Sequence, residues 1–229
     1  MHPAVLILAD GRFPTGGHVH SAGVEAACAL GDIHDVDSLE TFVRGRIATQ
    51  GRVDASVAAW VCRAATEAAA TQGAMPWAVV DAEVEARIAS PALRRASRTQ
   101  GRQLLRAARR IWDLDSLQEV SAVHPDGVFQ PLALGAVAAG VGLSPEDAAR
   151  VTLHHLVAGL VTAAVRLLGL DPFAIAALQT RIAASTEPIL ADVITGLPDD
   201  PCDLPATTSL LADVYAEHHT TWEVRLFAS

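Results

Sequence analysis

At Ser90-Pro91, Ser144-Pro145 and Asp171-Pro172 in this 229-residue chain, a helix-capping residue stands directly before a proline and a long helical pattern follows. The capping side chain accepts from first-turn amides. Proline loses nothing at the first helical position, where its missing N–H would have no partner. After Ser144, Glu146 and Asp147 complete a capping box and place acids where the helix dipole favours them. These signals predict helices from Pro91 through Ile111, from Pro145 to Leu168 with Gly169 as stop, and from Pro172 to about Thr195.

The rest of the chain reads the same way. Hydrophobic residues make up 51% but aromatics only 4%, so alanine and leucine carry the apolar content, and these favour helix over strand. Further helices are predicted from Ser21, from Asp37 or Ser38 through Ile47, from about Val53 onward, from Trp77 to Ile88, from Leu132 to Val141, and from Thr207 or Thr208 toward His218. A short helix is predicted between Asp113 and Asp126, with a loop at His124–Gly127. Pro198–Pro205 reads as loop. Together these give an all-α, single-domain bundle of about nine or ten helices over residues 1–229, without solenoid periodicity. Val151–Leu170 is nearly membrane-spanning in length, but it holds His154, His155 and Arg166 and is expected as a central buried helix.

Charge is uneven. The net charge is −9, yet residues 94–110 carry seven arginines and no acid, leaving ten basic against 26 acidic residues elsewhere, a balance of −16. Arg94, Arg98, Arg102, Arg106 and Arg110 step by four and predict a slowly winding stripe, opposite Leu93, Ala96, Gln100, Leu104, Ala107 and Ile111. Such a stripe can be solvated, paired internally, laid against an acidic protein or laid along phosphates. No aromatic lies between residues 78 and 111 to stack a base, so nucleic acid is the least supported of these.

All 17 basic residues are arginine, which excludes a P-loop lysine, a Schiff-base lysine and a lysine general base. Nucleotide hydrolysis would have to belong to a partner. Cys28, Cys62 and Cys202 form no C-x-x-C and no disulfide framework, and point to a reducing cytoplasm. The apolar stub Ala4–Ala9 has no basic segment before it and is not expected to be a signal peptide.

Residues 8–20 form a Gly- and Pro-rich loop, with Gly11, Pro14, Gly16 and Gly17, that leads into Ser21. His18 and His20 within it can hold a divalent ion only if a third ligand arrives in space. Otherwise the rings cap amides or line an interface, which is the plainer expectation. His154-His155 and His218-His219 are adjacent pairs whose rings diverge by about 100° on a helix, so packing is expected for both. His20-Ser21-Ala22-Gly23 fails the nucleophile-elbow pattern, because Val19 stands where a glycine is required.

The segment from Leu8 through Phe13-Pro14-x-Gly16 to Val19-His20-Ser21-x-Gly23-x-Glu25 resembles the N-terminal signature of the urease accessory protein UreF family. Ser97-Arg98-x-x-Gly101-Arg102, the Gly135–Leu143 segment, and His218 with Arg225-Leu226-Phe227-x-Ser229 resemble later family segments, in order along the whole chain. Many members carry an aromatic where this chain has His18. The resemblance implies a non-catalytic, all-α, dimer-forming cytoplasmic protein. It would bind a UreD/UreH-type scaffold and recruit the GTPase UreG, and the assembly would deliver nickel to apo-urease. No cofactor is implied, nickel being at most in transit, and neither nucleic acid nor membrane is expected as partner. Partner-binding residues on this reading are Phe13, Pro14, Gly16, His18, His20, Ser21, Glu25, Arg98, Arg102, Arg225 and Phe227, with residues 218–229 as a docking tail.

Overall fold

The computed structural model describes residues 2–227, apart from the His18 side chain. Met1, Ala228 and Ser229 lie outside the described residues, so the serine that closes the tail motif is not placed. The helices are α1 Pro3–Ala9, α2 Val24–Ala29, α3 Val36–Arg46, α4 Arg52–Thr71, α5 Trp77–Ala86, α6 Pro91–Trp112, α7 Leu117–Ser121, α8 Gln130–Gly140, α9 Pro145–Leu168, α10 Pro172–Thr195 and α11 Leu210–Thr220. No strand element occurs among the described residues. The bundle is all-α, and all three cap-proline starts form. Ser90 accepts from Leu93 N, Ser144 from Asp147 N, and Asp171 from Phe173 N and Ala174 N.

Several local readings are corrected: α2 begins at Val24 rather than Ser21, with Gly23 at its cap, and α11 begins at Leu210 rather than Thr207 or Thr208. The apolar stub is helical: Pro3 occupies the first turn and His2 accepts from Ala4 N. The cap of α3 is Asp35, with Ser38 returning a hydrogen bond from the third helical position, so the capping box sits earlier than Asp37 or Ser38. A π-helical turn, Ile47–Gly51, joins α3 to α4 and lays Gly51 against α9. A Cβ there would lie 2.9 Å from Leu156 Cδ2.

Helices α4 and α9 sit between two hydrophobic clusters and feed both. One cluster takes Val57, Trp60 and Val61 of α4 and Val151 of α9, together with Leu104, Phe129, Leu132 and Leu134. The other takes Ala55 and Ala59 of α4 and Leu153, Leu160 and Val161 of α9, with Val24, Leu39, Leu178 and Tyr215. Helix α9 is long and apolar enough to cross a membrane by length and composition, but its apolar side is spent on these neighbours. Its small residues Ala148, Ala149, Ala163 and Ala164 are fully buried, which lets neighbouring helices approach. Helix α8 meets α4 almost backbone to backbone, since a Cβ on Gly135 would lie 2.5 Å from Ala58 O.

The arginine stripe of α6 is broken. Arg98 is only 6% exposed, whereas Arg102, Arg106, Arg109 and Arg110 are exposed, and so is Ile111, expected on the inner face. A four-residue step winds around the helix, so a run of five cannot stay on one side of a helix buried along part of its length. Gly101 faces the backbone at Val128–Gln130, and any side chain there would overlap the Val128 carbonyl oxygen. We predict that Gly101→Ala destabilises the fold by about 1–3 kcal/mol through overpacking. Gly159→Ala on α9, where nothing lies within 4 Å, should instead stabilise by about 0.5–1 kcal/mol. Urea denaturation of the two variants checks the opposite signs.

Candidate partner-docking site

Phe13 enters the fold and stacks on Trp112, with ring centroids 5.6 Å apart. Pro14 and Val19 remain outside. Gly16 adopts a left-handed φ of +70°, closed off by the Gln103 side chain. The loop roofs a cavity of about 240 Å³ whose wall includes Asp10, His20, Arg46, Asp54, Thr152 and His155. The adjacent histidines of α9 both turn to the end of α1. His155 Nε2 lies 2.7 Å from Leu8 O and His154 Nε2 3.1 Å from Ala9 O, so the two rings satisfy carbonyls that the short helix leaves open. Burial disfavours protonation of His155, consistent with a neutral ring donating to a carbonyl.

The second half of the motif meets the other end of the chain. Ala22 takes a positive φ of 49°, and its carbonyl accepts from Arg46 Nη1 at 3.0 Å. Gly23 lies against α11, where a Cβ would stand 3.3 Å from both Ala212 O and Tyr215 Cβ. Two residues on, the buried Glu25 carboxylate receives His219 Nε2 at 2.8 Å, Leu226 N at 2.8 Å and Phe227 N at 3.0 Å. Phe227 is buried beneath the Arg166 guanidinium, 4.7 Å from its ring centroid. Val224 is 86% exposed and Leu226 70%, and Arg225 between them is exposed as well. The clamp therefore turns one side of the tail inward and presents residues 224–226 outward. Helix α11 is fixed further by Tyr215 Oη donating to Asp32 at 2.7 Å, and by Glu217, which accepts from Ser90 Oγ and Ala92 N at the start of α6.

The expected site residues thus divide. Phe13, Ser21, Glu25, Arg98 and Phe227 are buried and cannot meet a partner with their own side chains in this conformation; they shape what is presented. Pro14, Arg102 and Arg225 are exposed, and His20 and Gly16 are half-buried. Motif residues Ser21–Glu25 and Arg225–Phe227 come together. Arg98 and Arg102 do not join them. Arg98 pairs with Asp81 and Glu85, donates to Gly127 O at 2.8 Å and covers the Phe129 ring at 3.8 Å, while Arg102 donates to Asp126 O. Their motif stitches α6 to α5 and to the 126–130 segment, where Ser97 Oγ also accepts from Gln130 N.

Residues missed in sequence are His219, Tyr215 and Glu217, whose partners lie 194, 183 and 127 residues away. The His218-His219 pair marked the place, but nothing local named Glu25. No cluster of three or more His, Cys, Asp or Glu residues suited to a metal occurs among the described residues, which leave out the His18 side chain. The thiols are held protonated, Cys62 pushed up to about 12 by burial and Cys202 to about 11 by hydrogen bonds to Asp200 and Glu83.

Removing the clamp leaves a buried imidazole and two amides without their acceptor, each costing about 1–3 kcal/mol. Because the two tail amides can turn to water once released, the net loss is smaller than that sum: Glu25→Ala should lose about 2–4 kcal/mol in urea denaturation and expose the last residues to carboxypeptidase. A second variant tests the cavity wall. Burial raises Asp54 to about 6, against Gln50 and Arg46, which lower it. Between the ordinary carboxylate value of about 4 and about 6 the native state holds more protons than the unfolded chain, so this group's contribution to stability falls as pH rises. Relative to the parent, Asp54→Asn should gain about 1–3 kcal/mol on going from pH 4 to pH 7, read from paired urea titrations.

The UreF family model matches residues 33–183 of the chain. The urease accessory protein UreF of Mycobacterium sp. (strain JLS) is 40% identical over 228 residues, covering 98% of this chain and 97% of the relative. That of Mycolicibacterium vanbaalenii is 41% identical over 232 residues, with the same coverage of both chains. That of Mycobacterium tuberculosis (strain H37Rv) is 37% identical over 227 residues, again at 98% and 97%. These full-length matches take in the 8–25 motif and the clamped tail as well as the helical middle. The chain belongs to the UreF family of urease accessory proteins.

Proposed function

We propose that this protein is a non-catalytic urease maturation factor that acts by contact. It binds a UreD/UreH-type scaffold and recruits or regulates a UreG-type GTPase, so that the assembly inserts nickel into apo-urease. On this reading nickel is cargo of the assembly and no cofactor resides in this chain. A homodimer is the working unit.

Family membership supports the urease role. The observation that carries the contact mechanism is the Glu25 clamp, which spends a buried carboxylate on ordering a terminal segment that would otherwise fray. What it orders is an arginine between two exposed apolar residues, the composition of an interface anchor. Leu210, Leu211 and Val214 on α11 add exposed apolar surface on the helix from which that tail departs.

The test is urease activity and nickel content in cells carrying the matching urease genes. Deleting this chain should leave urease inactive and poor in nickel, and adding it back should restore both. Arg225→Ala should lower activation about tenfold or more, as for an interface hot spot, while thermal unfolding of the purified variant stays unchanged. Full activation without the chain, or with Arg225→Ala in its place, would count against this reading.

A further inference from the structure

We infer that the cleft between the C-terminal half of α6 and α7 docks a short carboxylate-rich segment of a partner protein. Arg102, Arg106, Arg109 and Arg110 line this open cleft of about 440 Å³, with Leu114 and Ser121 among its other walls. The surface lies on a different part of the chain from the tail clamp and does not depend on the role proposed for the tail.

The first observation is how these arginines differ from the others. Most exposed and half-buried arginines elsewhere are matched: Arg44 and Arg181 share Glu40, Arg150 meets Glu146 and Glu187, Arg52 meets Asp192 and Arg94 meets Glu85, whereas Arg95 and Arg225 stand singly without an ion pair among the described residues. Among the described residues none of the four cleft arginines makes an ion pair. Arg102 donates to a backbone carbonyl, and Arg109 reaches the Gln118 side-chain amide oxygen at 3.5 Å. A molecule with 26 acids thus leaves four cations grouped without an ion pair, even with Asp113 and Asp115 on the same cleft. Arg102 with Arg106, and Arg106 with Arg110, are like charges at i,i+4, a spacing that costs helix stability. The negative end of the α6 dipole offsets only part of that cost. An external anion would relieve it.

The second observation decides which anion. Guanidinium forks bind carboxylates and phosphates alike. A nucleic acid, however, must run beyond four charges, and here it would meet Asp113 and Asp115 on the cleft itself and exposed Glu119 on α7, then a surface balanced at −16 outside residues 94–110. Base stacking has no platform, because Trp112, the aromatic at the end of α6, is stacked on Phe13. A peptide with a few closely spaced carboxylates can sit on the four arginines and end short of Glu119 and the wider acidic surface, with Asp113 and Asp115 at the cleft limiting how many charges it can bring.

The experiment uses the full chain and fluorescein-labelled tetraglutamate, followed by anisotropy at about 50 mM and about 200 mM salt. Saturable binding is expected that weakens with salt, is absent for tetraglutamine, and is tighter than binding of a short DNA duplex. Arg106→Gln/Arg110→Gln should weaken it about tenfold or more, while Arg95→Gln, an exposed arginine outside the cleft, leaves it within about twofold. Both arginines of the double variant are exposed and unpaired, so its thermal midpoint should match the parent or exceed it. Absence of tetraglutamate binding, equal binding by the double variant, an equal loss in Arg95→Gln, or tighter binding of the duplex would each overturn the proposal.

Discussion

The Glu25 carboxylate joins the two ends of this chain. It accepts from a side chain on α11 and from two backbone amides in the tail, and all of its partners lie about 200 residues away. A buried carboxylate is costly unless its lone pairs are filled. Here the filling comes from groups that would themselves be unsatisfied without it. The arrangement is mutual: α2 has no buried acid without the tail, and the tail has no order without α2. Gly23 and Tyr215, pressed together next to it, and the Tyr215–Asp32 hydrogen bond make the same junction from either side.

A second constraint is close approach of backbones. Gly135 against Ala58 and Gly101 against Val128 bring α8 to α4 and α6 to the 126–130 segment with no room for a side chain. With few aromatics in the chain, tight packing of small residues replaces large side chains as the source of dispersion contacts. Around that frame the arginines divide into classes. Arg87 and Arg98 are buried and spend their donors on carbonyls and carboxylates inside the fold, and buried Arg46 donates through Nη1 to the Ala22 carbonyl. Those at the far end of α6 are left to solvent.

Helix starts were legible because their signals are local. Ser90-Pro91, Ser144-Pro145 and Asp171-Pro172 act within one turn, and each forms where the sequence places it. Gly169 likewise ends α9 in a left-handed turn, as its position suggests. The α3 cap was misplaced by a few residues because Asp35, Asp37 and Ser38 all qualify, and only geometry shows Asp35 accepting while Ser38 answers. Helix α1 was missed because its apolar run is too short to show a period, and its last carbonyls depend on His154 and His155 of α9.

The candidate site was half legible. The motif residues were recognisable as a set, but sequence could not tell presented residues from presenting ones. Glu25 and Phe227 read as surface because an acid and a terminal aromatic usually are, and burial depends on partners nearly the whole chain away. Arg98 read as part of a stripe because its spacing is helical, and only the folded chain reveals Asp81 of α5 as its partner. The most direct measurement is the affinity of Glu25→Gln for the matching UreD/UreH-type scaffold, by titration calorimetry at a temperature where the variant remains folded. The substitution leaves Val224, Arg225 and Leu226 untouched. If the buried carboxylate presents the docking tail, binding weakens about tenfold or more. Affinity equal to the parent's would contradict it.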